Sequence, residues 1–257
     1  LFMSLDSHIK KVVDEKLNNL FSDKKWSLKV KKKKRVGNVD PLYSDAEARM
    51  AYVLHTATIM SGQLIDVLYS NSVKILCPHL RILDIGKNEF KVSREAKTIA
   101  STSKHDSDIL ENSLPYGKAQ KRKGKDESIQ IDLMTYDPKS KTISSYEIKR
   151  GGGMHDSGKQ EKIIEDLYTV RLLLKSYGER IQKLEIKKAR SYVISHMGID
   201  LFSPEYRKFE VKGYDLNRHF KTKNLKENID LAVDYFAKEF KRRFKIIKLE
   251  ACKELTN

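Results

Sequence analysis

The sequence has few cysteines and no long apolar run, and each absence excludes a class of protein. Cys77 and Cys252 are the only cysteines among 257 residues, and because neither belongs to a CxxC pair, a cysteine-ligated zinc site is not expected. Isolated cysteines also indicate a reducing compartment. No apolar run approaches the roughly 18–20 residues that span a bilayer, and the first residues, LFMSLDSHIKK, lack the regions of a secretory signal. We therefore expect no membrane partner and a cytoplasmic, intracellular location, which in a bacterium would be the nucleoid.

Several familiar site motifs are missing as well. The triple glycine of residues 151–153 lacks the GKS/T ending of a phosphate-binding P-loop, and no nucleophile elbow occurs. His155-Asp156 could form a metal or acid/base pair, but a loop that caps the following helix is the simpler interpretation. These absences leave few known chemistries to consider.

Positive charge is the strongest compositional feature. The chain has 51 Lys and Arg against 35 Asp and Glu, a formal net charge of +16. Such an excess predicts a polyanionic partner, either nucleic acid or an anionic membrane surface. The unbroken cationic run from Lys31 to Arg35 is expected to be a solvated linker or an arm that contacts phosphates.

Hydrophobic periodicity predicts helices and short strands in alternation. The helices are expected at residues 5–20, 44–69, 157–177 and 225–249. A strand is expected within RILDIG or EFKVS, a hairpin within 129–149 and further strands within ARSYVISHMG and KFEVKGYD, whereas 101–127 is predicted to be a long loop. The strand after the third helix would join in parallel through a right-handed crossover. The expected fold is α/β, a mixed central β-sheet flanked by helices, with helical N- and C-terminal additions.

Charged residues interrupt the apolar hairpin IQIDLMTYDPKSKTISSYEIK. Residues at i and i+2 of a strand share a face, so Glu147 and Lys149 point the same way. With a suitable register, Asp132 of the first strand would converge on them. Charges in apolar strands are costly unless they are paired or bind something. Glu47, three residues after Ser44, is either the partner of a capping box or a further carboxylate at the mouth of the core-facing side.

Two carboxylates and a backbone carbonyl are ligands that suit Mg²⁺. A nearby lysine would stabilise developing negative charge, and without an ion one of the two carboxylate pKa values should rise. We expect Asp132 and Glu147 to hold the metal with the Ile148 carbonyl, and Lys149 to act in the transition state.

Asp132, fourteen further residues and then Glu147-Ile148-Lys149 resemble the bipartite motif of the PD-(D/E)xK nucleases. This family includes many restriction endonucleases, Holliday-junction resolvases and RecB-type exonucleases. The resemblance covers residues 44–196 and implies a restriction-endonuclease-like core, with Glu47 matching an acidic ligand of some members. No proline precedes Asp132. Ile164 stands where the RecB-like branch has a tyrosine four residues after Gln160, which argues against an end-dependent exonuclease.

The resemblance implies a Mg²⁺-dependent endonuclease that hydrolyses DNA, with Mn²⁺ expected to substitute. Residues 1–43 would form an N-terminal helix and basic arm, and residues 44–257 a nuclease domain that includes the long C-terminal helix. Cleavage of both strands would require a homodimer. The residues expected to contact DNA phosphates are Lys121, Arg122, Lys123, Lys125, Arg150 and Lys159. The alternatives are a non-catalytic basic nucleic-acid-binding protein and a nuclease that acts on RNA or branched DNA.

Overall fold

The structure is a computed structural model that describes residues 7–21, 45–85, 89–102, 113–117, 121–122, 125–150 and 154–256. The chain divides into two compact units, one formed by residues 1–68 with 227–257 and the other by residues 69–226. The boundary predicted at residue 43 lies outside the described residues. Nowhere in the described ranges does a helix combine the length and the apolar character needed to cross a bilayer.

Six α-helices, two short 3-10 helices (Pro204–Phe209 and Gly213–Asp215) and nine strands make up the regular structure of the described ranges. The helices are α1 (Ser7–Leu20), α2 (Asp45–Leu76), α3 (Arg94–Thr102), α4 (Ser157–Arg180), α5 (Leu216–His219) and α6 (Leu225–Thr256). The strands are β1 (Arg81–Ile82), β2 (Glu89–Lys91), β3 (Lys121–Arg122), β4 (Lys125–Asp126), β5 (Ser128–Gln130), β6 (Leu133–Asp137), β7 (Thr142–Lys149), β8 (Lys188–Ser195) and β9 (Glu210–Lys212).

The first unit is helical. One apolar stripe of α1, formed by Ile9, Val13 and Leu17, is fully buried, as expected for an amphipathic helix at this spacing. The hydroxyl of Tyr235 on α6 donates a hydrogen bond to the Asp14 carboxylate at 2.8 Å. Helix α1 therefore contacts α6 within one compact unit.

The second unit contains a five-stranded sheet in the order β1-β6-β7-β8-β9. Strands β1, β6 and β7 pair antiparallel, whereas β7, β8 and β9 pair in parallel. Helix α4 provides the crossover from β7 to β8. The predictions of an α/β fold, a mixed sheet and an antiparallel hairpin are thus confirmed. The parallel strand predicted after the helix of residues 157–177, which is α4, is confirmed as well.

Helix α4 covers one face of this sheet. Ile143 of β7 and Met134 of β6 lie in one core cluster with Val170 and Leu173 of α4. Because strand side chains alternate between the faces, Glu147 and Lys149 lie on the face that α4 covers. The Tyr146 side chain lies on the opposite face.

Two predictions about the elements are wrong. The segment 101–127 was expected to be a loop, but α3 extends to Thr102 and β3 pairs with β4 inside it. Helix α3 is short and buries only the small residues Ala96 and Ala100 completely, so its completely buried face has no large apolar side chain. The helical spacing of the apolar residues at positions 50, 54, 57, 64 and 68 predicts one buried stripe on α2. Leu54 is instead 44% exposed, whereas Tyr52 and Val53 are buried.

Candidate functional site

Asp132 lies in a bend between two strands. The chain leaves β5, which pairs with β2, and enters β6, which pairs with β7. Because the chain changes sheets at Ile131 and Asp132, neither residue belongs to a strand. The prediction that Asp132 is part of the first hairpin strand is therefore wrong, although its backbone N–H still donates to the Tyr146 carbonyl at 3.1 Å.

The bend brings the Asp132 carboxylate to β7. Its Oδ2 accepts a hydrogen bond of 2.7 Å from the backbone N–H of Ile148, and its Oδ1 accepts one of 3.3 Å from the Gln130 amide. Ile148 separates Glu147 from Lys149 in the chain. The structure therefore brings the Asp132 carboxylate to the strand backbone between Glu147 and Lys149, where the charge of Lys149 acts on it.

Glu147 and Lys149 form an ion pair on the face of the sheet that α4 covers. Their side chains retain 27% and 35% of their exposure, so the pair is accessible to a ligand and only partly shielded from water. A half-buried ion pair of this kind contributes little net stability, because desolvation offsets the attraction.

Burial raises the pKa of the Asp132 carboxyl. The Ile148 N–H, the charge of Lys149 and the Gln130 amide all act in the opposite direction. The rise in a carboxylate pKa expected for this site is therefore found at Asp132. Its main cause is desolvation, and not repulsion by the second carboxylate.

Sequence reasoning missed the charged residues on the first turns of α4. Lys162 lies 3.0 Å from a carboxylate oxygen of Asp166 and 3.2 Å from one of Glu165. Burial raises the pKa of Asp166, with smaller contributions from the charges of Glu165 and Glu147. Asp166 is thus a third carboxylate, besides Asp132 and Glu147, and the negative charge of Glu147 acts on it. The sequence signal for this cluster is the four-residue spacing of Lys162 and Asp166, which makes them neighbours on the helix surface beside the apolar stripe.

The loop between β7 and α4 adds a histidine. Asp156 caps α4, because its carboxylate accepts a hydrogen bond of 2.9 Å from the Lys159 N–H, so the capping interpretation is confirmed for Asp156. In the described part of the chain, the ring Nε2 of His155 is buried without a hydrogen-bond partner. Burial lowers the pKa of His155, the charges of Lys159 and Lys149 act in the same direction, and Glu147 opposes them.

Asp132 also lines a cleft of about 600 Å³. It runs between the C-terminal end of α2 and the strands β1 and β6. Its charged lining residues are Asp132, Lys74, Arg81 and Asp84, and the two cations are exposed. Sequence reasoning did not select Lys74 or Arg81, because only the antiparallel pairing of β1 with β6 places this part of the chain beside Asp132.

The structure describes the side chains of only some of the residues expected to contact DNA phosphates. Arg150 directly follows β7 and Lys159 lies in the first turn of α4, and both are exposed. Lys121–Arg122 forms β3 and Lys125 lies in β4, where only the backbone is described. Lys123 lies outside the described residues. Arg150 and Lys159 are therefore the members of this set whose side chains the structure describes.

Oxygen ligands for a hard cation are present at the site. Asp132 and Glu147 offer carboxylates, and the Ile148 carbonyl points to the same edge as the Ile148 N–H that Asp132 binds, since both groups of one strand residue face the same neighbour. Glu47 lies in α2, but its side chain lies outside the described residues. Throughout the described ranges, no group of three or more His, Cys, Asp or Glu is arranged to hold a metal.

Comparison with known proteins adds no relative. No protein-family model matches the chain, and neither the characterised proteins nor the solved structures contain a similar one.

Proposed function

We propose that this protein is a Mg²⁺-dependent endonuclease that hydrolyses DNA phosphodiester bonds. The observation that carries the proposal is the 2.7 Å hydrogen bond between the Asp132 carboxylate and the Ile148 N–H. It holds the first carboxylate beside the strand residue that separates Glu147 from Lys149. An ordinary surface hairpin has no need for two carboxylates and a lysine at one partly buried point.

The order of the elements supports the same proposal. A hairpin carries Glu147 and Lys149 in its second strand, α4 follows, and β8 then joins β7 in parallel. This is the layout that the resemblance to the PD-(D/E)xK nucleases implies. The excess of 16 positive charges suits a polyanionic substrate.

Asp132, Glu147 and the Ile148 carbonyl would hold the cation, and Mn²⁺ is expected to replace Mg²⁺. When bound, the cation supplies Lewis-acid polarisation of the phosphate and a bound water of lowered pKa. The raised pKa of Asp132 fits such a role, because a carboxylate that is costly to ionise alone is stabilised by a neighbouring positive charge.

Lys149 is the residue expected to act on the developing negative charge. It pairs with Glu147 and its side chain is 35% exposed, so its ammonium group would stabilise negative charge that develops on a phosphate bound beside the pair. Lys159 and Arg150, which are exposed near the same edge, would contact the flanking phosphates without reading the bases.

The test is a cleavage assay on supercoiled plasmid with Mg²⁺ or with EDTA. Wild type should nick or linearise the plasmid only with Mg²⁺, and Glu147→Gln and Lys149→Met should each lose at least about a hundredfold in rate. Glu185→Gln is the matched control. It breaks the ion pair of Glu185 with Lys141 near the turn of the same hairpin and should cleave at the wild-type rate.

The same preparations should be tested on single-stranded RNA and on a four-way DNA junction, because those substrates define the alternative nucleases. No cleavage of any substrate by wild type would refute the enzyme proposal. If DNA binding then persisted and weakened steeply with salt, the non-catalytic nucleic-acid-binding protein would take its place. Cleavage that survives in both site variants would show that the site is elsewhere.

A further inference from the structure

A separate cavity of about 250 Å³ lies on the sheet face opposite Glu147 and Lys149. Its floor carries the side chains of Thr135, Ser144 and Tyr146, which are all at least nine-tenths buried. Buried hydroxyl groups are costly unless they have hydrogen-bond partners. The Tyr146 hydroxyl already has such a partner in His219, so the floor is polar but does not by itself select a ligand.

Aromatic rings form one wall of the cavity. The rings of Tyr146 and Tyr192 stack with centroids 5.7 Å apart at 22°, and His219 contacts both edge-on at 5.7 Å and 5.0 Å. The Tyr146 hydroxyl and His219 Nε2 lie 3.1 Å apart and share a hydrogen bond. Tyr192 is only half-buried, so its ring presents a preorganised surface on which a planar group can stack.

Cations surround the mouth of the cavity. Lys188, Arg190 and Lys221 all line it and are exposed. Arg190 is oriented by a hydrogen bond of 3.1 Å to the Tyr192 hydroxyl. In the described chain none of the three forms a salt bridge, although the charge of Lys221 acts on the Asp137 carboxylate and lowers its pKa.

Asp137 is the single carboxylate among the lining residues. Its oxygens accept hydrogen bonds from the Lys139 N–H at 2.9 Å and from the Ser140 hydroxyl at 2.8 Å, which stabilises the turn between β6 and β7. Three cations against this one carboxylate leave a positive excess of two. A phosphate monoester, which carries a charge of about −1.5 to −2 near neutral pH, matches that excess.

We propose that this cavity binds a phosphate monoester attached to a planar ring, as in a 5′-mononucleotide. The ring would stack on Tyr192, and the phosphate would bind Lys188, Arg190 and Lys221. A volume of about 250 Å³ lies just below the range of roughly 300–1,000 Å³ that is typical of ligand pockets, so the ligand we expect is no larger than a mononucleotide. The ligand is either a free mononucleotide or the phosphorylated end of a strand, since both present the same group.

The site is independent of the proposed hydrolysis. Tyr146 and Ser144 alternate along β7 with Glu147 and Ser145, so the cavity and the carboxylates use opposite faces of one strand. Loss of cleavage would therefore leave this binding intact, and loss of binding would say nothing about cleavage.

The test is a calorimetric titration of the full chain with adenosine 5′-monophosphate, adenosine and inorganic phosphate. The monophosphate should bind more tightly than the other two. The double variant Lys188→Glu/Lys221→Glu should weaken its binding by about tenfold or more. Lys183→Glu/Lys187→Glu is the matched control, because it removes the same charge from exposed residues just before β8 that do not line the cavity.

A separate variant tests the stacking of the ligand ring on Tyr192. Tyr192→Leu should weaken binding of the monophosphate and leave that of inorganic phosphate unchanged, and if this variant does not fold, Arg190→Gln should weaken binding of both. Competition then identifies the source of the ligand. A 5′-phosphorylated oligonucleotide that displaces the monophosphate, where its 5′-hydroxyl counterpart does not, indicates a strand end, and failure of both to compete indicates the free mononucleotide.

Three results would overturn the proposal. The first is no saturable binding of the monophosphate up to about 10 mM, where affinity is negligible. The second is an equal loss in both double variants, which would reveal only general electrostatic attraction. The third is loss of binding in Glu147→Gln, which would assign the ligand to the other face of the sheet.

Discussion

Replacing Asp132 by alanine or by asparagine separates the two roles of its carboxylate, as a hydrogen-bond acceptor and as a proposed metal ligand. Alanine leaves the Ile148 N–H, which now donates at 2.7 Å, without its acceptor. An unsatisfied buried donor costs about 1–3 kcal/mol. For a chain of this length each kcal/mol lowers Tm by roughly 2–4 °C. Asparagine keeps an acceptor oxygen and removes the buried charge, so its free energy of unfolding should stay within about 1 kcal/mol of wild type.

The pH dependence of stability distinguishes the variants further. Burial raises the pKa of Asp132 above 3.8, so the folded state binds more protons than the unfolded state between 3.8 and the raised value. Stability due to this group therefore falls as pH rises through that window. Asp132→Asn lacks a titrating group, and the difference between its urea midpoint and that of wild type should grow as pH rises through the window.

Activity completes the test. Both variants should lose plasmid cleavage in Mg²⁺ by at least about a hundredfold, although only Asp132→Ala should be clearly destabilised. If Asp132→Asn cleaved at the wild-type rate, Asp132 would not be a metal ligand. If Asp132→Ala unfolded at the same urea concentration as wild type, the hydrogen bond to Ile148 would not contribute to the free energy of unfolding.

Two further substitutions test the surroundings of the sites. A Cβ on Gly213 would overlap the His196 carbonyl oxygen, so Gly213→Ala should lower the free energy of unfolding by about 1–3 kcal/mol. Gly158→Ala on α4, where the added Cβ meets only an ordinary contact, should not; equal urea midpoints for the two would contradict the steric argument. Burial lowers the pKa of His219 from 6.5 to about 4, so the unfolded state gains a proton first and stability should fall as pH drops through that window. His219→Gln should remove part of this acid sensitivity in urea titrations at about pH 7 and about pH 4.5, and an unchanged difference between the two pH values would refute it.

Helices and the central hairpin were predictable because their signals are local. Ile163, Ile164 and Leu167 recur at helical spacing in α4, and all are buried as expected. The turn at Asp137 and the apolar residues on either side of it were enough to predict that β6 pairs with β7. In each case a few neighbouring residues decide the outcome.

The bend at Asp132 was not predictable in the same way. The run IQIDLMTY alternates like one strand, and it divides into β5 and β6 only because Phe90 of β2 pairs with Ile129. Helix α3 was missed since it spans only nine residues and its completely buried residues are the alanines Ala96 and Ala100, which are small and only weakly apolar. Non-local pairing decided the first case, and a weak apolar signal explains the second.

The sequence by itself determined that Glu147 and Lys149 share a face, since the two-residue period of a strand requires it. It also determined the excess of positive charge. Only the tertiary structure decided that Asp132 reaches the backbone between them, that Asp166 of α4 lies in the field of Glu147, and that Lys188 and Lys221 meet at one cavity. These contacts join residues far apart in the chain, so they depend on sheet register and helix packing, which no local pattern encodes.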